Sequence, residues 1–91
     1  MTVTDDVIVE FFGMPRFRAG RGELRVAAGT VADVLACVSA ACPGLSGMVG
    51  ADGRLAGHYL LSLDGQRFVT DLRENLRAGD RLLLLSADAG G

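Results

Sequence analysis

The sequence predicts a two-layer α+β domain, a mixed β-sheet packed on one main helix. Three observations predict it. The apolar period changes along the chain in the order β-β-α-β-β-β. One segment alone carries a long helical stripe, and one helix covers only one face of a sheet. The first and last strands, residues 7–12 and 81–85, are the two most apolar runs, as strands at the centre of a sheet should be.

Each element follows from its residues. Val7-Ile8-Val9-Glu10-Phe11-Phe12 is β-branched and aromatic and ends at Gly13. Residues 13–22 hold three glycines and Pro15, and read as a loop. Glu23-Leu24-Arg25-Val26 alternates with period two, with Leu24 and Val26 inward, and the short link suggests an antiparallel hairpin with the first strand. Thr30 caps the helix, with Asp33 in its first turn. Val31, Val34, Leu35, Val38 and Cys42 form its buried stripe, and Pro43-Gly44 stops it.

Residues 45–57 are glycine-rich and irregular, with a turn at Asp52-Gly53. His58-Tyr59-Leu60-Leu61-Ser62-Leu63 is a strand, and Asp64-Gly65 a hairpin turn leading into a strand over 66–70. Residues 71–76 suggest a short turn or helical segment, and Ala78-Gly79-Asp80 turns the chain into the last strand. This is the element order of the β-grasp, or ubiquitin-like, fold, in which the last strand lies parallel beside the first. Residues 1–85 are expected to form the domain and 86–91 a flexible tail.

The 91 residues make one domain, which buries roughly 60–65% of its extended-chain surface. The net charge of −2 without basic blocks argues against nucleic acid as a partner. All nine basic residues are arginines, so no side chain offers an ε-amine for conjugation. Cys37 and Cys42 are poorly spaced to meet on a helix and lack the second pair of a zinc signature. Cys42 continues the core stripe, and Cys37 lies off it. No signal peptide or membrane span is visible, so a cytoplasmic protein without a membrane partner is expected.

No catalytic constellation is visible either. His58 reads as an ordinary strand-end residue, no serine sits in an elbow motif, and the acids are scattered. The glycine-rich 13–22 segment lacks the pattern of a phosphate-binding loop. An enzyme is not expected, nor a bound metal or cofactor.

Two features remain. In the first strand Glu10 marks the face shared with Ile8 and Phe12 as outward; in the last, Arg81 marks the face shared with Leu83 and Leu85. Ile8, Phe12, Leu83 and Leu85 should then form an exposed apolar patch, bordered by Arg16, of the kind that marks a protein-binding site. The second feature is the end of the sequence, Gly90-Gly91. Two residues without Cβ atoms can thread a channel too narrow for side chains and present the Gly91 carboxylate unhindered.

The ordered set "VIVEFFG" (7–13), "ELRVAAGTVADVL" (23–35), "LSLDGQRF" (61–68), "LRAGDRLLLL" (76–85) and the closing "AGG" (89–91) resembles the MoaD/ThiS family of ubiquitin-like sulfur carriers over nearly the whole chain. The resemblance implies that a ubiquitin-activating-type enzyme spends ATP to adenylate Gly91. A sulfur donor then leaves a thiocarboxylate, which gives up its sulfur inside a partner synthase. It also implies that Phe12, Arg16 and Leu85 contact partner surfaces. Ala87 and Ala89 stand where molybdopterin-synthase subunits often carry a Pro-rich lead-in, and the chain is long for a thiamine-pathway carrier. The receiving pathway therefore stays open among molybdopterin, cysteine, thiamine and natural-product synthesis. A protein modifier joined through Gly91 and a plain β-grasp binding module are the alternatives.

Overall fold

The computed structural model of the chain describes residues 6–87. It has the expected five-stranded mixed sheet, in the order β2-β1-β5-β3-β4. The strands are β1 (Asp6–Phe11), β2 (Glu23–Ala27), β3 (Tyr59–Leu63), β4 (Arg67–Phe68) and β5 (Arg81–Ser86). The apolar first and last strands lie side by side at the centre and run parallel, with Val9 paired to Leu82 and Phe11 to Leu84. The other three pairings are antiparallel.

Two helices accompany the sheet, α1 (Met14–Ala19) and the main helix α2 (Val31–Ala41). A capping box starts α2: the Asp33 N–H donates to Thr30 Oγ1 at 3.1 Å, and the Thr30 N–H donates to Asp33 Oδ2 at 3.2 Å. The expected stripe, Val31, Val34, Leu35, Val38 and Cys42, is buried. It packs with Val7, Val9, Phe11, Leu61, Leu82 and Leu84 from the inner face of the sheet. Leu45 and Met48, which follow α2, close the core.

Residues 13–22, expected to be a loop, contain α1 instead. The glycines and proline that suggested a loop are the boundaries of a short helix. Gly13 turns the chain out of β1 at φ 63°, Pro15 occupies the first turn, and Gly20 caps the end at φ 73°. Proline at the start and glycine just past the end is the usual asymmetry of helix termini. The antiparallel pairing of β1 with β2 stands, although the link between them is helical.

Pro43-Gly44 does end α2, but these residues continue into a single 3-10 turn, Pro43–Leu45, on which α1 packs. A Cβ on Gly44 would lie 2.2 Å from the Arg18 carbonyl oxygen, so only glycine fits under α1 here.

Smaller differences have local causes. His58 sits in the turn before β3 rather than inside it. Asp64 and Gly65 both take positive φ, 55° and 71°, as the expected two-residue hairpin requires. The β4 ladder covers two residues rather than five, and Val69 turns inward into the core. Residues 71–76 take the turn of the two expected alternatives rather than the helix, with the Glu74 N–H donating to Asp71 O at 3.1 Å. Their carbonyls accept the free N–H groups at the start of α2 instead, Val31 N–H to Glu74 O and Ala32 N–H to Leu72 O, each at 2.9 Å. β5 runs through Ser86, one residue into the segment assigned to the tail.

Candidate functional site

The outward face of the sheet is built by period-two alternation on strands whose inner residues fill the core. On β1, Val7, Val9 and Phe11 are buried while Ile8 and Glu10 are partly exposed. On β5, Leu82 and Leu84 are buried while Leu83 and Leu85 are partly exposed. Phe12, just past β1, is 41% exposed and ties itself to β5, where its N–H donates to Leu84 O at 3.0 Å. The parallel register places Glu10 beside Leu83 and Ile8 beside Arg81. Ile8, Phe12, Leu83 and Leu85 therefore share the outward face, as the alternation predicts.

Two residues enlarge this face that the sequence did not single out. Leu60 on β3 is paired with Leu85 and is 39% exposed. Phe68 on β4 is paired with Ser62 on the same face and is 65% exposed. Every residue from 59 to 61 is apolar, so no charge marked which of them points outward. The signal that could have found them is continuation of the alternation from β5 onto β3 and through the hairpin to Phe68. An open groove of about 880 Å³ borders them, lined by Arg54, Leu55, Leu60, Phe68, Thr70 and Arg73.

Charge frames the face lightly. The Arg81 guanidinium lies 3.1 Å from Glu10 Oε1 across the two central strands. At the β4 edge Arg67 pairs with Glu74, and this hydrogen bond holds the Glu74 carboxyl below its ordinary range. Arg73 does the same for Asp71, through its side chain first and its backbone N–H second.

The chain leaves the sheet beside the exposed face. Ser86 is still paired with Tyr59, and the Ala87 N–H donates to His58 O at 2.9 Å. Gly90 and Gly91, the expected reactive end, lie outside the described residues. β1 and β5 are parallel, so the end of β1, where α1 begins, is also the end of β5. α1 packs against β5 there.

Arg16 lies on this helix rather than in a loop. Its guanidinium passes over Gly22, where a Cβ would meet it at 3.7 Å. It lines a concavity with Phe17 and Arg21, at the side of the helix.

Among the described residues no three His, Cys, Asp or Glu side chains could hold a metal ion. His58 is exposed and lies against the Tyr59 ring, with centroids 4.2 Å apart. Cys37 is exposed and Cys42 buried, both as free thiols. No helix among the described residues is long and apolar enough to cross a membrane.

A β-grasp sheet with an exposed apolar face, and with the chain's last strand at its middle, defines a ubiquitin-like protein. Comparison with solved structures narrows the class. The crystal structure of SAMP1, small archaeal modifier protein 1, from Haloferax volcanii superposes with a TM-score of 0.79 at 31% identity, covering 94% of this chain and 99% of that one. The solution structure of the Haloferax volcanii HVO 2177 protein gives 0.77 at 29%, covering 97% and 88%. The structure of the BexX/CysO complex from Amycolatopsis orientalis gives 0.78 at 21%, covering 93% and 99%, and shows a shared fold. No family model matches the sequence, and the search of curated proteins returned no match. The chain belongs to the family of ubiquitin-like sulfur carriers and small protein modifiers.

Proposed function

We propose that this chain is a sulfur carrier, acting as a co-substrate rather than as a catalyst. A ubiquitin-activating-type enzyme joins the Gly91 carboxylate to the α-phosphate of ATP and releases pyrophosphate. The acyl-adenylate supplies the leaving group that a carboxylate lacks. A hydrosulfide-equivalent donor displaces AMP, leaving a thiocarboxylate that is anionic and nucleophilic. A partner synthase accepts that sulfur in a biosynthetic pathway, with molybdopterin synthesis the first to test. ATP is consumed by the activating enzyme and is not held by this chain.

The observation that carries this reading is the continuity of the exposed apolar face with the strand that ends the fold. Leu83 and Leu85 belong to both, so a protein that docks on the face also receives whatever follows Ala87. In this reading Ile8, Phe12, Leu83 and Leu85 dock the partner, with Leu60 and Phe68 extending the contact. Gly90 and Gly91 enter the active site.

The test is an intact-mass measurement after incubation with the activating enzyme of the same organism, ATP and a sulfide source. Exchange of one oxygen for sulfur is expected, and its loss on deletion of Gly91. Adenylation without any sulfur uptake would defeat the proposal.

Similarity to small archaeal modifier protein 1 favours a second reading, in which Gly91 forms an isopeptide bond with another protein. Without lysine, each attached copy would offer no side-chain amine to the next. Adducts of Gly91 with target lysines in cell digests would select this reading.

A further inference from the structure

The outward side of α1 is not explained by the fold. Pro15 and Ala19 face the protein, while Met14 is 51% exposed and Phe17 80% exposed. An isolated exposed aromatic would need no account. These two share one side of a helix that starts from Phe12, itself 41% exposed. Arginines flank them.

The stretch between Glu10 and Glu23 contains Arg16, Arg18 and Arg21 and no acidic residue. The other six arginines face 11 acids, so α1 is a basic cap on an otherwise acidic molecule. None of the three arginines forms an ion pair among the described residues; those pairs use Arg67, Arg73 and Arg81. Arg18 donates to the Tyr59 hydroxyl at 3.4 Å, and Arg21 Nε donates to Glu23 O at 2.8 Å. Both partners are neutral, so the positive charge is held in place without being cancelled. Arg16, Phe17 and Arg21, with Gly13, Gly20 and Gly22, line an open concavity of about 470 Å³.

We propose that α1 is a second docking surface, which binds an acidic patch on the activating enzyme. A carboxylate of the enzyme enters the concavity between Arg16 and Arg21, and Phe17 fills an apolar recess beside it. Naming that enzyme as the partner rests on the function proposed above. Position favours it: α1 stands at the end of the sheet from which the chain leaves β5, so an enzyme that receives the tail is brought against it. Arginine forks and an exposed aromatic are the anchors that protein interfaces select. A few charges on a net-negative molecule suit a protein with several carboxylates better than a polyanion.

The experiment is calorimetric titration of the full chain into the activating enzyme of the same organism, without ATP, at low and high salt. Wild type is expected to bind more weakly as salt rises. Arg16→Glu with Arg21→Glu should weaken binding at least tenfold and flatten the salt dependence. Phe17→Ser should cost on the order of tenfold with the salt dependence kept. All three side chains are exposed, so unchanged melting temperatures serve as the folding control. An unchanged Kd and salt slope in the charge-reversed variant overturns the proposal, as does absence of binding by wild type. Tighter binding to phosphatidylserine vesicles or duplex RNA than to the enzyme also overturns it. Binding without sulfur uptake at Gly91 would defeat the carrier function and leave this surface standing.

Discussion

Arg81 Nη1 lies 3.1 Å from Glu10 Oε1, across the two parallel strands at the centre of the sheet. These are the two charges that mark the outward face in the sequence, and in the structure they satisfy each other. Both side chains are partly in water, so the pair should contribute little. A double-mutant cycle with Glu10→Gln and Arg81→Gln is expected to give a coupling of about 0.2–1 kcal/mol. The coupling should shrink as salt is added. A value independent of salt would contradict this geometry.

The two faces should separate stability from binding. Leu84 is fully buried and Leu60 is 39% exposed. Leu84→Ala should destabilise by about 2–5 kcal/mol in urea unfolding, through lost burial and a residual cavity. Leu60→Ala should stay within about 0.5 kcal/mol of wild type. The activating enzyme should nevertheless bind the Leu60→Ala chain more weakly, which calorimetry would read directly.

Gly44 offers a test of how closely α1 is held. The added methyl of Gly44→Ala would sit 2.2 Å from Arg18 O, which is backbone and cannot swing aside. Destabilisation of about 1–3 kcal/mol is expected. Gly57→Ala is the control, since its Cβ would meet nothing within 4 Å and its backbone is not in the left-handed region. Equal melting temperatures for the two variants would show that α1 is not seated there.

Acid should loosen the ties around β4. Arg67 lowers the pKa of Glu74, and Arg73 that of Asp71. A carboxyl with a lowered folded-state pKa stabilises the fold fully above its unfolded value, about 4, and loses that contribution as pH falls through the folded value. Wild type and Glu74→Gln should therefore differ in thermal stability at neutral pH and converge as the solution is acidified below about pH 4. A difference that grows on acidification would refute the assignment.

Much of this molecule is legible in the residues themselves. The α2 stripe is local, because residues three and four apart share a helix face wherever the helix lies. The faces of β1 and β5 are readable because the runs 7–12 and 81–85 each carry one charged residue, Glu10 or Arg81, among apolar ones. β3 has no such marker, and Leu60 could not be told from its neighbours until Leu85 stood opposite it. Residues 13–22 read as a loop in sequence because a six-residue helix is too short to show a period, and because the same glycines and proline break a loop or bound a helix.

The sequence by itself determined the order of elements, the stripe that α2 buries and the alternation of the central strands. These depend on interactions within a few residues. Tertiary structure alone decided that Leu60 and Phe68 join the face that holds Phe12 and Leu85, and that α1 stands at the end of the sheet where β5 stops. Those neighbours are far apart in the chain. They meet because a parallel register between β1 and β5 buries Val9, Phe11, Leu82 and Leu84 together on the other side. The core selects the register, and the exposed face follows from it.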